Sequence, residues 1–182
     1  IHQAKWLSKE EKTLLLNALA EDEKKRRETA HTSETFASVL RSGRVWMLGL
    51  IYFCIQMGVY AINFWLPTIV KSLGFQSPVA VGWVSAIPYL CASIFMIWIG
   101  RSADANKERR WHLSGPLLMG LCGLMLATQG GGNTVIAVIG LSLATMGALS
   151  GLPMFWPLPA AFLGSAAAAG GLALINSLGQ IA

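Results

Sequence analysis

The sequence predicts an all-α protein, a polytopic bundle of transmembrane helices, and three observations predict it. Apolar residues make up 54% of the 182 residues and charged residues only 13%, about half the charged share of a soluble domain. The apolar residues gather into five runs, and about 20 residues suffice to cross a hydrocarbon core of ~30 Å. After Arg110 no Asp, Glu, Lys or Arg occurs as far as Ala182. Water would not keep such a stretch dissolved, whereas a lipid bilayer accepts it.

The elements follow in order. Residues 1–44 form a polar segment holding nine of the fourteen Lys and Arg. Ser8 followed by Glu11 reads as a capping box. Beyond it Leu14, Leu15, Ala18 and Leu19 share one face, which predicts an amphipathic surface helix near residues 9–28. Residues 28–35 read as a linker. The spans are expected at about 45–70, 79–100, 113–129, 134–152 and 160–182. Gly74 to Pro78 reads as a turn, 101–112 as a polar loop, and Gly130-Gly131-Gly132-Asn133 as a second turn. Pro153, Pro157 and Pro159 are expected to break the fourth span. Ile1 and Ala182 do not look like natural ends, so the chain is expected to be a piece of a longer one.

Charge placement orients the bundle. With residues 1–44 in the cytoplasm, the 101–112 loop and the proline turn lie there too. Thirteen of the fourteen Lys and Arg then fall inside and only Lys71 outside, as the positive-inside rule requires. The basic residues flank apolar runs or mix with acids, so nucleic acid is not an expected partner; the lipid bilayer is. Cys54, Cys91 and Cys122 are scattered through apolar stretches and suggest neither disulfides nor a metal site. There is no carboxylate pair, activated nucleophile or phosphate loop, so neither an enzyme nor a cofactor is expected.

Within the spans only uncharged polar groups can meet a ligand. Tyr52, Gln56, Tyr60 and Asn63 fall at i, i+4, i+8 and i+11, on one helix face. Facing lipid they would be costly, so the stripe points either to a cavity or to hydrogen bonds with another helix. Asn176 and Gln180 are likewise one turn apart. The small residues from Gly164 to Gly171 give a thin helix surface suited to close packing. Trp46, Trp98 and Trp111 sit where interfacial anchors are expected, and His112 lies at the same edge.

The loop after the second span reads Gly100-Arg101-Ser102-Ala103-Asp104, then Arg109-Arg110. It resembles the conserved loop of the major facilitator superfamily, although Ala105-Asn106-Lys107 replace the family's usual Arg and Gly after the Asp. Three further stretches are similar to the anion:cation symporter family of tartrate, phthalate and sugar-acid carriers. These are Lys5-Trp6-Leu7-Ser8 with Glu10-Glu11, Asn63-Phe64-Trp65-Leu66-Pro67, and Phe155-Trp156-Pro157-Leu158-Pro159 with Gly170-Gly171 and Ile175-Asn176-Ser177. The resemblance implies five spans of a C-terminal six-helix half, with a twelfth helix and an N-terminal half absent. It implies proton-coupled uptake of an organic anion by alternating access at the inner membrane. The transported species would be a small organic anion and a proton, and the coupling carboxylates would belong to the absent half. It also implies substrate contacts at Trp156, Asn176 and Gln56, with Tyr60 and Asn63 on the same face as Gln56. Gly100, Asp104, Arg109 and Arg110 would form a conformational latch, its Asp near a helix N-terminus. A membrane sensor or scaffold with a transporter fold, or an exporter of a neutral compound, is the rival expectation.

Overall fold

The structure is a computed structural model that describes residues 8–29, 40–129, 133–163 and 165–182. Seven helices occur among them: α1 Lys9–Thr29, α2 Gly43–Ser72, α3 Pro78–Asn106, α4 Arg110–Gln129, α5 Thr134–Phe155, α6 Pro157–Phe162 and α7 Ser165–Gln180. Four are long and apolar enough to cross a membrane, namely α2, α3, α4 and the run Thr134–Ala161 that α5 begins.

α1 starts directly after Ser8, whose carbonyl accepts from the Lys12 N–H at 3.1 Å. The Glu11 half of the expected capping box falls on a side chain outside those described, as does the expected 28–35 linker beyond Thr29. Leu14, Leu15 and Leu19 are all exposed on α1.

The loop after α3 differs from expectation. α3 runs through 101–106, and only Lys107, Glu108 and Arg109 separate it from α4. Arg101, Asp104 and Asn106 are compatible with helix, because the polar end of a span lies in water, where charge does not oppose helical structure. Lys107 ends α3 in the left-handed region, at φ 50° and ψ 30°. For a side chain with a Cβ this conformation costs about 1 kcal/mol, so Lys107→Gly is expected to raise stability by up to about 1 kcal/mol. Reversible denaturation in detergent would show it.

The expected proline break also shifts. α5 continues through Pro153 to Phe155, although Pro153 has no N–H for the Leu149 carbonyl. Trp156 keeps right-handed helical angles (φ −58°, ψ −32°), and Pro157 and Pro159 fall in the first turn of α6, where an N–H has no helical partner to lose. Where the fifth span is expected, α6 has six residues, Leu163 is extended (φ −83°, ψ 125°), and α7 has sixteen.

The core lies where α5 meets α2 and α3, around Tyr52, Ile55, Val59, Leu66, Leu141, Ala148, Met154 and Phe155. Backbone meets backbone closely along a glycine seam between α4 and α5. A Cβ on Gly123 would stand 2.6 Å from the Ala144 nitrogen, and one on Gly140 2.7 Å from the Gly123 carbonyl oxygen. Close helix approach was expected instead at 164–171. The side chains of 164–168 lie outside those described, and the observed seam was not anticipated.

Candidate functional site

α2 carries its polar residues on one face, as the 3.6-residue period dictates. Its neighbours decide what each of them does. Tyr52 is 4% exposed. Its ring stacks on Phe155 with centroids 5.0 Å apart, meets Trp156 edge-on at 4.9 Å, and lies against the backbone of Gly179 on α7. Tyr52 thus belongs to the packing of α2, α5 and α7. Gln56 lies one turn on and is 6% exposed.

The next two polar residues bridge to different helices. The Tyr60 hydroxyl donates to Gln180 Oε1 on α7 at 2.7 Å. The Tyr89 hydroxyl on α3 donates to Asn63 Oδ1, also at 2.7 Å. Four residues beyond Asn63, Pro67 sits inside α2 and cannot donate to the Asn63 carbonyl. Asn63, Asn176 and Gln180 are all exposed, while Tyr60, Tyr89 and Trp156 are half-buried. An open groove of about 610 Å³ runs along this side, lined by Met57, Tyr60, Phe64, Trp65 and Gln180 among others. Of the expected contacts, the structure brings Trp156 beside Tyr52 and ties Tyr60 and Asn63 to flanking helices. It places Asn176 one turn before Gln180, both on the exposed side of α7. Hydrogen bonds to other helices, one of the two alternatives for the stripe, occur at Tyr60 and Asn63, and Tyr60 also lines the open groove.

Tyr89 was missed in the sequence. The available signal was a tyrosine in mid-span, whose hydroxyl needs a partner in an apolar setting. A second, wholly apolar groove of about 340 Å³ lies between α2, α4 and α5, around Cys54, Trp65, Leu121 and Ala144. It contains none of the expected site residues.

Of the residues expected to form a latch, Asp104 and Arg109 meet at the 107–109 loop. Arg109 donates to Asp104 Oδ1 at 2.7 Å, and Gly100 is half-buried near Met154. The expectation that Asp104 stands near a helix N-terminus is corrected, for it lies in the last turn of α3. A helix C-terminus disfavours negative charge, and the Arg109 guanidinium offsets that. The N-terminus of α4 is served by Glu108, a residue the sequence reading passed over. Glu108 Oε1 accepts from the Arg110 N–H at 2.8 Å and Oε2 from the Trp111 N–H at 3.0 Å. His112 joins the two helices, its Nδ1 lying 3.2 Å from Glu108 Oε2 and its Nε2 3.0 Å from Ser102 Oγ. Of Arg110, only the backbone takes part in these contacts.

Partial desolvation pushes the Glu108 carboxyl upward, but the hydrogen bonds from His112, Trp111 and Arg110 outweigh it and hold the group below the usual carboxylate value. A depressed pKa in the folded state means a contribution fully present above the ordinary value and lost as pH falls through the lower one. The Glu108 carboxyl carbon shift, followed by NMR, is therefore expected to titrate below pH 4.5. In Ala-substituted His112 protein its midpoint is expected to move upward.

The Major Facilitator Superfamily profile matches residues 4–182. The quinolone resistance transporter of Acinetobacter baumannii is 38% identical over 182 residues, all of this chain and 41% of its own length. NicT of Pseudomonas putida, named for metabolite transport, is 37% identical over 99% of this chain and 40% of its own. A protein of Agrobacterium vitis named for tartrate transport is 34% identical over 98% of this chain and 40% of its own. The chain thus spans about two fifths of the length of these relatives. No solved structure matches it. Long apolar helices, a glycine seam between two of them, an Asp–Arg pair joining the end of α3 to the loop before α4, and a profile match over nearly every residue lead to one assignment: the chain is an integral membrane protein of the Major Facilitator Superfamily.

Proposed function

We propose that this chain supplies one wall of the substrate path in a secondary active transporter that takes up an organic anion, a sugar acid, tartrate or an aromatic carboxylate, with a proton. The observation that carries this reading is the α2 face. Tyr60 and Asn63 engage α7 and α3 through hydroxyl–amide bonds, and Gln180, the partner of Tyr60, lies one turn from exposed Asn176. Such a face recognises hydroxyl and carboxylate oxygens without carrying charge. The name of the Agrobacterium vitis relative supports tartrate as a member of the substrate class.

No Asp, Glu, Lys or Arg lies between Arg44 and Lys71, nor between Lys71 and Arg101. Proton coupling and pairing of the substrate's charge would then fall to the part of the relatives that this chain does not span. Residues 1–44 and 101–112 lie on the cytoplasmic side of the inner membrane in this reading, because it places thirteen of fourteen basic residues there. The Asp104–Arg109 pair, with Gly100 and Arg110 beside it, is the latch that holds one state of alternating access.

Uptake of labelled tartrate, galactonate, glucarate and phthalate by the full-length protein, with and without a protonophore, tests this. Uptake of one anion that collapses with the protonophore is expected. Asn176→Ala is expected to reduce that uptake about tenfold, the loss of one hydrogen bond to a charged group. The quinolone resistance relative favours a second reading, export of an aromatic compound. Efflux from loaded cells without uptake of any of the four anions would establish that reading instead.

A further inference from the structure

We propose that Tyr89 and Gln180 set the ligand selectivity of the α2 face, by presenting two amide N–H₂ groups to an acceptor and withholding the amide carbonyls. The ligand selected is a carboxylate in preference to its carboxamide or to a cation. This rests on the organic-anion reading above and adds to it the groups that discriminate.

A side-chain amide offers an acceptor and two donors, and left free it rotates to suit either kind of ligand. Neither amide is free here. Asn63 Oδ1 accepts the Tyr89 hydroxyl and Gln180 Oε1 accepts the Tyr60 hydroxyl, each at 2.7 Å. A phenol in an apolar helix bundle needs an acceptor, and each of these two has taken an amide oxygen. Asn63 and Gln180 are exposed, and neither amide nitrogen hydrogen-bonds another described residue. Two phenols on different helices, α2 and α3, therefore impose the same polarity on two amides, on α7 and α2. N–H donors facing a carboxylate form charge-assisted bonds, the stronger kind. Facing a carboxamide they gain less, and the carboxamide's own N–H₂ finds no amide carbonyl there. In spans without Lys or Arg, selection of an anion by this chain falls to such neutral donors.

The test uses the full-length protein in proteoliposomes, taking up whichever of the four labelled anions the parent transports. Two variants are compared with it. Tyr89→Phe removes one oxygen and releases the Asn63 amide. Gln180→Glu keeps an acceptor for Tyr60 but replaces the N–H₂ with oxygen. Tyr89→Phe is expected to raise KM about threefold, the loss of orientation of an amide that can still donate, with the maximal rate within about twofold. Gln180→Glu is expected to raise it further, since a carboxylate then faces the anion. In Tyr89→Phe the preference for the transported anion over its carboxamide, read as the ratio of inhibition constants, is expected to fall by a similar factor. A merely structural role for Tyr89 would not move that ratio, and a melting curve in detergent confirms that each variant is folded. An unchanged KM and an unchanged ratio in folded variants of an active parent would overturn this proposal alone. A parent that takes up none of the anions would overturn the reading beneath it as well.

Discussion

Replacing Gly147 with Val is expected to separate α4 from α5 and to cost about 3 kcal/mol or more, the upper range for forcing bulk into a packed interior. A Cβ at this position would stand 2.6 Å from the Gly120 Cα and 2.7 Å from its nitrogen, and closer still to the Pro116 carbonyl oxygen. All three are backbone atoms, so no rotamer change relieves the clash and the helices themselves must move. Within a bilayer there is little hydrophobic drive to hold two helices together, and close backbone contact has to supply the attraction. Gly123 and Gly140 extend the same contact along the pair. Gly115 supplies the control, since a Cβ there meets nothing within 4 Å and Gly115→Ala should change stability by no more than about 1 kcal/mol. Equal melting of the two variants in detergent would mean that the seam does not hold the pair together.

The second large effect is expected from Phe155→Ala, at about 3–5 kcal/mol for a fully buried ring. Phe155 is 0% exposed. It stacks on Tyr52 at 5.0 Å and meets Trp156 edge-on at 5.7 Å. Its loss would leave a void in the core and would free both neighbouring rings, so a weakened grip on substrate is expected alongside the lower melting temperature. Phe155→Leu, which refills much of the volume, is expected to recover most of the stability and less of the grip. An unaltered melting temperature in Phe155→Ala would show that the neighbours collapse into the space.

Much of this architecture could be read in the residues, for a physical reason. Runs of about 20 apolar residues have one economical solution in lipid, a helix with every backbone group paired internally, and α2 to α5 follow from it. What escaped were features that composition does not encode. Charged residues at 101–106 read as a loop, yet helix and loop are both acceptable to charge in water, and the backbone simply continued. The apolar run 160–182 read as one span because apolar content does not register the extended Leu163. The seam could have been found: Gly140 and Gly147 are seven residues apart, two helical turns, which puts them on one face, with Gly120 and Gly123 one turn apart on the preceding helix. The polar face of α2 was legible because it depends only on periodicity. Its partners were not, since Tyr89 and Gln180 come from other helices, and nothing local in the sequence reports which helix lies alongside.

The two bonds at Tyr60 and Asn63 also restrict how α2 can move. They are three residues apart on one helix and pull toward α7 and α3. Turning the helix about its long axis by a single residue, about 100° at 3.6 residues per turn, would carry both groups away from their partners together. The pair therefore acts as a torsional brake on α2. The ladder lacks a donor at Pro67, just past the brake, yet Leu66 and Val70 on either side of it are buried in the core. The brake fixes the facing of Gln56 and Tyr60, and core packing holds the end of α2 beyond Asn63.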